Sequence, residues 1–549
     1  PSLIASDIPG IYPYIVDGVG EGIQAKRRGL AVMIDHLTPP LNATPLYDEL
    51  LTLRQLVESY ESAQEKSPAR QRAVNNIRRL IDKMKLKNDL ETIMKDELAI
   101  RGISFDQVDD EMLVHEVGHY LTQMQEQFMP LGLHIFGKDW EQPAIKMMLD
   151  SINQPENKAL PQLLTDSPKH ERNALLAALN GQFIAPGKGN DPIRTPEALP
   201  TGRNFHALDS SLIPSRIGYE LGLELANQTR KETEFKPEGR EAVILWASDT
   251  VRDEGVMVAF GLDMLGIQPV WNSRGKFKSL KRLSMTKDRV RRDTVFTTSG
   301  LFRDLYADLL VWLDRAVLLA LDGASITIIK QHPELTTALN AALQPVAEMR
   351  EPGDESLSVN QVAAHWVEET KRLLKQNIPA TQAGRQASLR LFGDAPGSYG
   401  AGVNRLTERS ASWDDRQQIS KAYLNRMGHA YGIGLNGLPA HKSFAANLKN
   451  VQNTYLGRSS NLYGLMDNND AFDYMGGLSM VVESLSGKIP NNRVIQHADP
   501  KNAKLVSLDR ALLQELRGQF LNPAWLKGLM KHDYAGARTT WAHGRTGYV

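Results

Sequence analysis

The chain has no cysteine. That excludes disulfides, thiolate zinc sites, cysteine nucleophiles and cysteine-ligated iron–sulfur clusters. It has no excess charge either: 64 lysines and arginines balance 64 aspartates and glutamates, so no global field favours nucleic acid or an anionic membrane. No apolar run reaches the roughly 18 residues needed to span a bilayer, and the first residues lack a basic segment followed by a hydrophobic one. We therefore expect no nucleic-acid partner and no membrane span, and a cytoplasmic location with the periplasm left open. A phosphate loop is also missing. GQFIAPGKG has its outline, but Gly181 and Gly187 stand one residue too far apart, a proline precedes the second glycine, and Lys188 is followed by Gly189 rather than serine or threonine. No nucleotide site is expected in this chain.

What is present is enough for three or four domains in 549 residues. The start at Pro1 and the close at HGRTGYV lead us to expect a part of a longer protein. The organising stretch is GEGIQAKRRGLAVMIDHLTPPL, Gly20 to Leu41. Gly18, Gly20 and Gly22 surround Glu21, where strained or positive-φ backbone would let a carboxylate approach a ligand. A helix from about Gly22 would carry Lys26, Arg27 and Arg28, dock through Leu30, Val32, Met33 and Leu37, and end at Pro39 and Pro40. The alternative is an ordinary capped surface helix with its cations in water.

Helical periodicity continues from Leu46 to about Asp150. Within it, HEVGHY sets His115 and His119 one turn apart with Glu116 between, the arrangement of a zinc peptidase. Such an enzyme needs a third ligand, and Glu141, Glu156 and His170 carry no supporting motif. From Glu241 to Leu321 the pattern changes to alternating strands and helices, EAVILWASDT, GVMVAFGLDML, IQPVWN, DTVFTTSG and DLYADLLVWLDRAVLLAL, which reads as a parallel-sheet α/β unit. Ligands collect at the carboxyl ends of such strands. Those ends carry Asp249, Thr250, Asn272, Ser299 and Gly300. Further on, four glycines surround Tyr399 in a wide loop. Asp467, Asp470 and Asp473 are spaced by three, which places them on one helix face; a solvated acidic turn is the alternative. The fold expected is mixed α/β and multidomain: a helical region over 1–190, an α/β unit over 191–345 and a further α/β region over 346–549.

Several of these stretches, in order along nearly the whole chain, resemble motifs of the cobaltochelatase large subunit and, more distantly, the magnesium chelatase H subunit. The GEGIQAKRR run preceded by IYPYIVDG, GLHIFG, PTGRNFHALD, LWASDT, TTSGLFRD, RLFGDAPGSYGAG and NPAW carry the likeness. Thr298 and Leu301 depart from the family's ISGFFRD, and Asp533 replaces the usual glycine near His532. The resemblance implies insertion of a divalent metal into a tetrapyrrole, Co2+ into a corrinoid first and Mg2+ second. ATP would be hydrolysed by AAA+-type ATPase and adaptor partner subunits. It implies roles for Glu21 as base, for His134, Asp467 and Asp470 in steering the aquo-metal, and for Lys26, Arg28, Arg203, Asn204, Arg303 and Tyr399 in holding the macrocycle. A core histidine is the alternative for His134, and a loop-anchoring salt bridge for Arg203. The rival functions are the zinc metallopeptidase and a tetrapyrrole-binding protein without catalysis.

Overall fold

The computed structural model describes residues 8, 10–40, 46–125, 134–206, 209–286, 289–407, 413–460, 464–466 and 469–530. The organising stretch is a strand–helix–strand unit: β1 (Ile11–Ile15), α1 (Val19–Gly29) and β2 (Val32–His36), with the two strands parallel. The long helix expected through to Pro39 is therefore corrected. Leu30 takes a left-handed φ of 51° that stops α1, and the next apolar residues are contiguous rather than helically spaced. Met33 and Ile34 are both fully buried and enter different hydrophobic clusters, as suits a strand covered on both faces. The glycines are also read differently. Gly18, Gly20 and Gly22 do not adopt positive φ; a Cβ on Gly22 would lie 2.3 Å from the ring of Phe205, so close packing is what excludes a side chain there.

Residues 46–125 form the expected helices, Asp48–Ser62, Pro68–Lys83, Lys87–Ile93, Lys95–Arg101 and Asp110–Gln125, around a core that includes Leu53, Ile77, Leu90, Leu113 and Tyr120. Asp89 joins this layer to the end of the chain. It accepts from Tyr120 Oη at 3.1 Å and from Arg517 Nε at 2.6 Å. The glycine- and proline-rich segment then supplies β3 (Pro186–Lys188) and β4 (Asn204–His206), a parallel pair. Backbone bonds between Asp35 of β2 and residues 202 and 203 tie β4 to the first unit.

The remaining strands are β5 (Arg240–Leu245), β6 (Ile267–Trp271), β7 (Phe277–Arg282), β8 (Thr294–Thr298), β9 (Leu391–Gly393), β10 (His429–Gly432), β11 (Leu435–Pro439), β12 (Val451–Arg458), β13 (Asn491–Gln496) and β14 (Lys504–Ser507). All but β6 and β7 make one sheet in the order β11–β10–β9–β8–β5–β12–β13–β14. Its centre, β9 to β13, is parallel and its outer pairs are antiparallel. The sheet thus draws strands from both the 191–345 and 346–549 segments. IQPVWN is a strand but belongs to the separate antiparallel hairpin β6–β7, so Asn272 lies at a hairpin turn away from the sheet. Alternate residues of the central strands enter opposite cores: Val243, Phe296 and Tyr455 one, Ile244, Val295 and Leu456 the other. From β5 the chain steps outward through β8 and β9, then returns to β12 on the other flank. The topological switch point therefore falls between β5 and β12.

At the amino ends of β5, β8 and β9 sits a buried hub. Asp293 accepts from Arg240 Nε at 2.8 Å, from Arg390 Nε and Nη2 at 2.6 and 3.0 Å, and pairs with His365 Nδ1 at 2.8 Å. Burial pushes its carboxyl up, but Arg390, Arg240 and His365 together hold it well below the usual carboxylate range. Asp293→Ala leaves two buried guanidinium groups without their anion. It should cost about 3–5 kcal/mol, read as a lower denaturant midpoint; an unchanged midpoint would show the hub to be dispensable.

Candidate active site

The carboxyl ends of the sheet meet α1 through one arginine. Arg252, the last residue of the short helix that follows β5, is almost wholly buried. Its Nε donates to Asp17 Oδ1 at 2.5 Å, and its Nη1 donates to Asp249 Oδ1 and to Ser459 Oγ, both at 3.1 Å. Ser459 Oγ also donates to Asp249, and Ser460 Oγ donates to Asp17 Oδ2 at 3.3 Å. Asp17 belongs to the turn entering α1, Asp249 follows β5, and Ser459 and Ser460 follow β12. Three separate pieces of chain are thus clasped where the sheet changes direction. Gly20 brings α1 against Ser248 and Leu301, at a separation that would put a Cβ there in ordinary contact with both.

The clasp forms the floor of a cavity of about 720 Å³. Its walls include Tyr14, Glu21, Trp246, Asp249, Ser299, Gly300, Leu301, Tyr399, Asp470 and Tyr474. This volume falls in the range of roughly 300–1,000 Å³ that holds sizeable organic ligands. Its ring-bearing walls suit a flat one: Trp246 and Tyr474 meet edge-on at 6.1 Å, and Tyr12 stacks behind Tyr14 at 5.0 Å. Three carboxyl groups line this space, and while Asp249 is bonded to Arg252 and Ser459, Glu21 and Asp470 are not part of the clasp. Desolvation raises Glu21 above the usual carboxylate range, with the charge of Arg252 working against it. Asp470 is raised to about 6, by desolvation first and then by Asp473 and Glu21. Burial therefore raises the proton affinity of both, and at Asp470 the charges of Asp473 and Glu21 add to it.

Of the residues singled out in the sequence, Glu21, Tyr399 and Asp470 come together here, as do the strand-end residues Asp249, Ser299 and Gly300. The others do not line the cavity. Lys26 donates to the carbonyls of Phe205 and Asn204 and lies over the Phe205 ring. Asn204 Oδ1 accepts from Met33 N at 3.1 Å, and Arg203 N donates to Asp35 Oδ1 at 2.7 Å, so both stitch β4 to β2. Arg303 pairs with Asp394 at 2.8 Å and donates to the carbonyl of Ala395, which holds the glycine-rich loop while its guanidinium lies over Tyr399. His134 is a core histidine: Trp140 Nε1 donates to its Nδ1 at 2.6 Å, leaving Nε2 to donate to the buried Glu171 at 3.1 Å. Asp473 caps the backbone of Ala401 and Asn404 instead of sharing the cavity with Asp470. Asp467, His532 and the side chain of Arg28 lie outside the described residues. His115 and His119 do stack at 4.3 Å, but among the described residues no three histidine, aspartate or glutamate side chains group to hold a metal, so the metallopeptidase reading finds no support. Thr250 lies behind the wall, its hydroxyl donating to Trp246 O.

Asp17, Arg252, Ser459 and Ser460 were not singled out from the sequence. Asp17 does sit inside the IYPYIVDG run, and nothing short-range marks its partner 235 residues away.

An aromatic-walled cavity lined by carboxyl groups at the switch point of a mostly parallel sheet is where an α/β fold of this kind takes a ligand. The chain belongs to the CobN/Magnesium Chelatase family, whose model matches residues 1–170, 156–325 and 327–543. It is 27% identical over 638 residues to the aerobic cobaltochelatase subunit CobN of Pseudomonas aeruginosa, covering 98% of this chain and 47% of that protein. It is 26% identical over 544 residues to the magnesium-chelatase H subunit of Rhodobacter capsulatus, covering 98% of this chain and 40% of that one. Its fold matches the catalytic subunit of cobaltochelatase from Mycobacterium tuberculosis with a TM-score of 0.81 at 24% identity, over all of this chain and 49% of that one. The chain spans about half the length of the curated relatives it matches.

If Arg252 holds the site together, Arg252→Gln should free α1 from the sheet. Hydrogen–deuterium exchange in residues 17–29 should then rise while helix Pro68–Lys83 keeps its protection. Equal exchange in both proteins would remove Arg252 from that role.

Proposed function

We propose that this chain forms the tetrapyrrole-binding core of an ATP-dependent metal chelatase, with Co2+ as the first choice of metal, Mg2+ as the second, and a corrinoid-type macrocycle as the ring. The observation that carries the reading is the pair Glu21 and Asp470 on one flat-walled cavity, each with its proton affinity raised by burial. Metal insertion requires the ring's inner N–H protons, one in a corrin and two in a porphyrin, to leave as the ion arrives. Glu21, in its ionised form, accepts the first. Asp470 sits close enough to feel the charge of Glu21, and it offers oxygen to a hydrated divalent ion without the retention a thiolate would bring. The aromatic walls and Leu301 exclude water from the ring faces. With Lys26 and Arg303 engaged in the protein's own contacts and Arg203 outside the cavity lining, the carboxylate arms of the ring are left to the mouth of the cavity.

Nucleotide chemistry belongs, on this reading, to AAA+-type ATPase and adaptor subunits. GQFIAPGKG contributes the short strand β3 and its parallel pairing, not a strand–loop–helix phosphate cradle. Among the described residues no helix is long and apolar enough to cross a membrane.

In the full-length protein reconstituted with its partners, Glu21→Gln should keep ring affinity within about twofold and lower insertion by about 10²–10⁴-fold, the range of a lost general base. Undiminished insertion would sink the assignment. Insertion should also rise with pH through about 6, because Asp470 works in its ionised form and burial holds on to its proton until then. Asp470→Asn should abolish that limb. A profile unchanged by the substitution would remove Asp470 from the chemistry. Absorption titration with a porphyrin and a corrinoid side by side tests the ring class.

A further inference from the structure

The helix Asp110–Gln125 carries a pair of histidines that the cavity does not use. Its inner face is fixed: Leu113, Val117, Tyr120 and Leu121 are buried in the helical core, Asp109 Oδ1 accepts from Met112 N at 2.8 Å, and Tyr120 Oη donates to Asp89. His115 and His119 stand on the outer face, both exposed, with ring centres 4.3 Å apart and planes inclined by 37°. Glu116 is mostly covered, and its Oε1 lies 3.2 Å from His115 Nδ1. We propose that His115 and His119 form a two-histidine chelate for a borderline divalent ion such as Co2+, Ni2+ or Zn2+, with Glu116 as its positioning residue and water at the remaining positions. This goes beyond the reading of Glu21 and Asp470 and does not depend on it.

The geometry is that of two adjacent ligands on one ion. Residues four apart on a helix are neighbours on its surface. An ion about 2.0–2.1 Å from each ring nitrogen lies roughly 3.2 Å from each ring centre, so a right-angled pair sets the centres about 4.5 Å apart. The observed 4.3 Å is already close to that. A neutral imidazole has one nitrogen for its proton and one for a metal. At His115 the Glu116 carboxylate accepts the Nδ1 proton, which leaves the Nε2 lone pair for the ion. Among the described residues no third histidine or acid joins the pair to hold a metal. Two protein ligands are fewer than a closed structural zinc site or a catalytic one has, so the ion is held exchangeably. Ligand type sets the class of ion. Imidazole suits the later first-row metals, whereas Mg2+ takes oxygen ligands and keeps its water. The pair therefore separates Co2+ from Mg2+, a distinction that the oxygen donors of Glu21 and Asp470 draw less sharply.

The test is equilibrium dialysis of the untagged protein against Co2+, with bound metal measured by elemental analysis. It needs neither ring nor partner subunits, so it stays informative if the chelatase reading fails. Both histidines are exposed and alanine is the best helix former, so His115→Ala and His119→Ala should keep the fold, which thermal melting checks. The unsubstituted protein should bind one more Co2+ per chain than either single variant or the double variant, and a large excess of Mg2+ should not displace that ion. Glu116→Gln should weaken it by about 10–100-fold with melting unchanged, the range for a lost partner behind a ligating histidine. Equal Co2+ in the unsubstituted protein and the double variant overturns the proposal. Retention by either single variant overturns it too, because one imidazole is not a chelate. Displacement by Mg2+ would show oxygen donors at work instead of the histidines, and undiminished affinity in Glu116→Gln would remove Glu116 from its positioning role.

Discussion

The site depends on a buried guanidinium that could not be where it is without its partners. Desolvating an arginine costs several kcal/mol, and Coulomb attraction offsets that only when the geometry is good and the remaining donors are satisfied. Arg252 meets the condition by donating to three chain segments: Asp17 before α1, Asp249 after β5 and Ser459 after β12. Leaving any partner out would strand charge in the interior, so the three segments are held to one arrangement. Glu21 lies one helical turn beyond Asp17 and inherits that placement. The cavity is thus a consequence of how a buried charge is neutralised, not of the loops that happen to surround it.

The two ends of the sheet use the same physical ingredient to opposite effect. Asp293, at the amino ends, is fully buried and surrounded by Arg240, Arg390 and His365, so it stays ionised and fixes the strand ends. Asp470, at the carboxyl ends, is desolvated next to acids, and its proton affinity rises. Burial alone decides neither outcome. The sign comes from which charges the topology delivers, and five parallel strands deliver them asymmetrically: a closed ionic hub below, an open acidic cavity above.

This asymmetry explains what could be read in advance. The alternation of strands and helices from β5 to the helix Ala307–Asp322 announced a parallel sheet, and a parallel sheet fixes where ligands go; Asp249, Ser299 and Gly300 followed from that rule. Glu21 was conspicuous because it is displayed between glycines before a basic run. The functions of the cations were not legible, because an arginine's role is set by what lies opposite it in space. Arg303 finds Asp394 91 residues later, and Lys26 finds the Phe205 carbonyl 179 residues later. His134 shows the same limit: a histidine in a glycine-flanked turn has the chemistry of a ligand, and only the fold puts Trp140 and Glu171 on its two nitrogens. Local pattern misjudged β2 for a related reason, since Leu30, Val32, Met33 and Leu37 can be read as the docking stripe of a helix until β1 is placed alongside Val32–His36.

The charge inside the cavity adds a step. Its ionisable lining is acidic through Glu21, Asp249 and Asp470, while the arginines that reach it, Arg252 and Arg458, are each paired with buried carboxylates. Such a space disfavours an anion and favours whatever brings positive charge or yields protons. On the proposed reading the reactants do both: a divalent ion arrives as the inner N–H protons depart, one from a corrin or two from a porphyrin, and each proton released carries one positive charge away from the ring. The carboxyls then need only hold protons transiently and pass them outward. That role asks for raised proton affinities, and desolvation supplies them at Glu21 and Asp470.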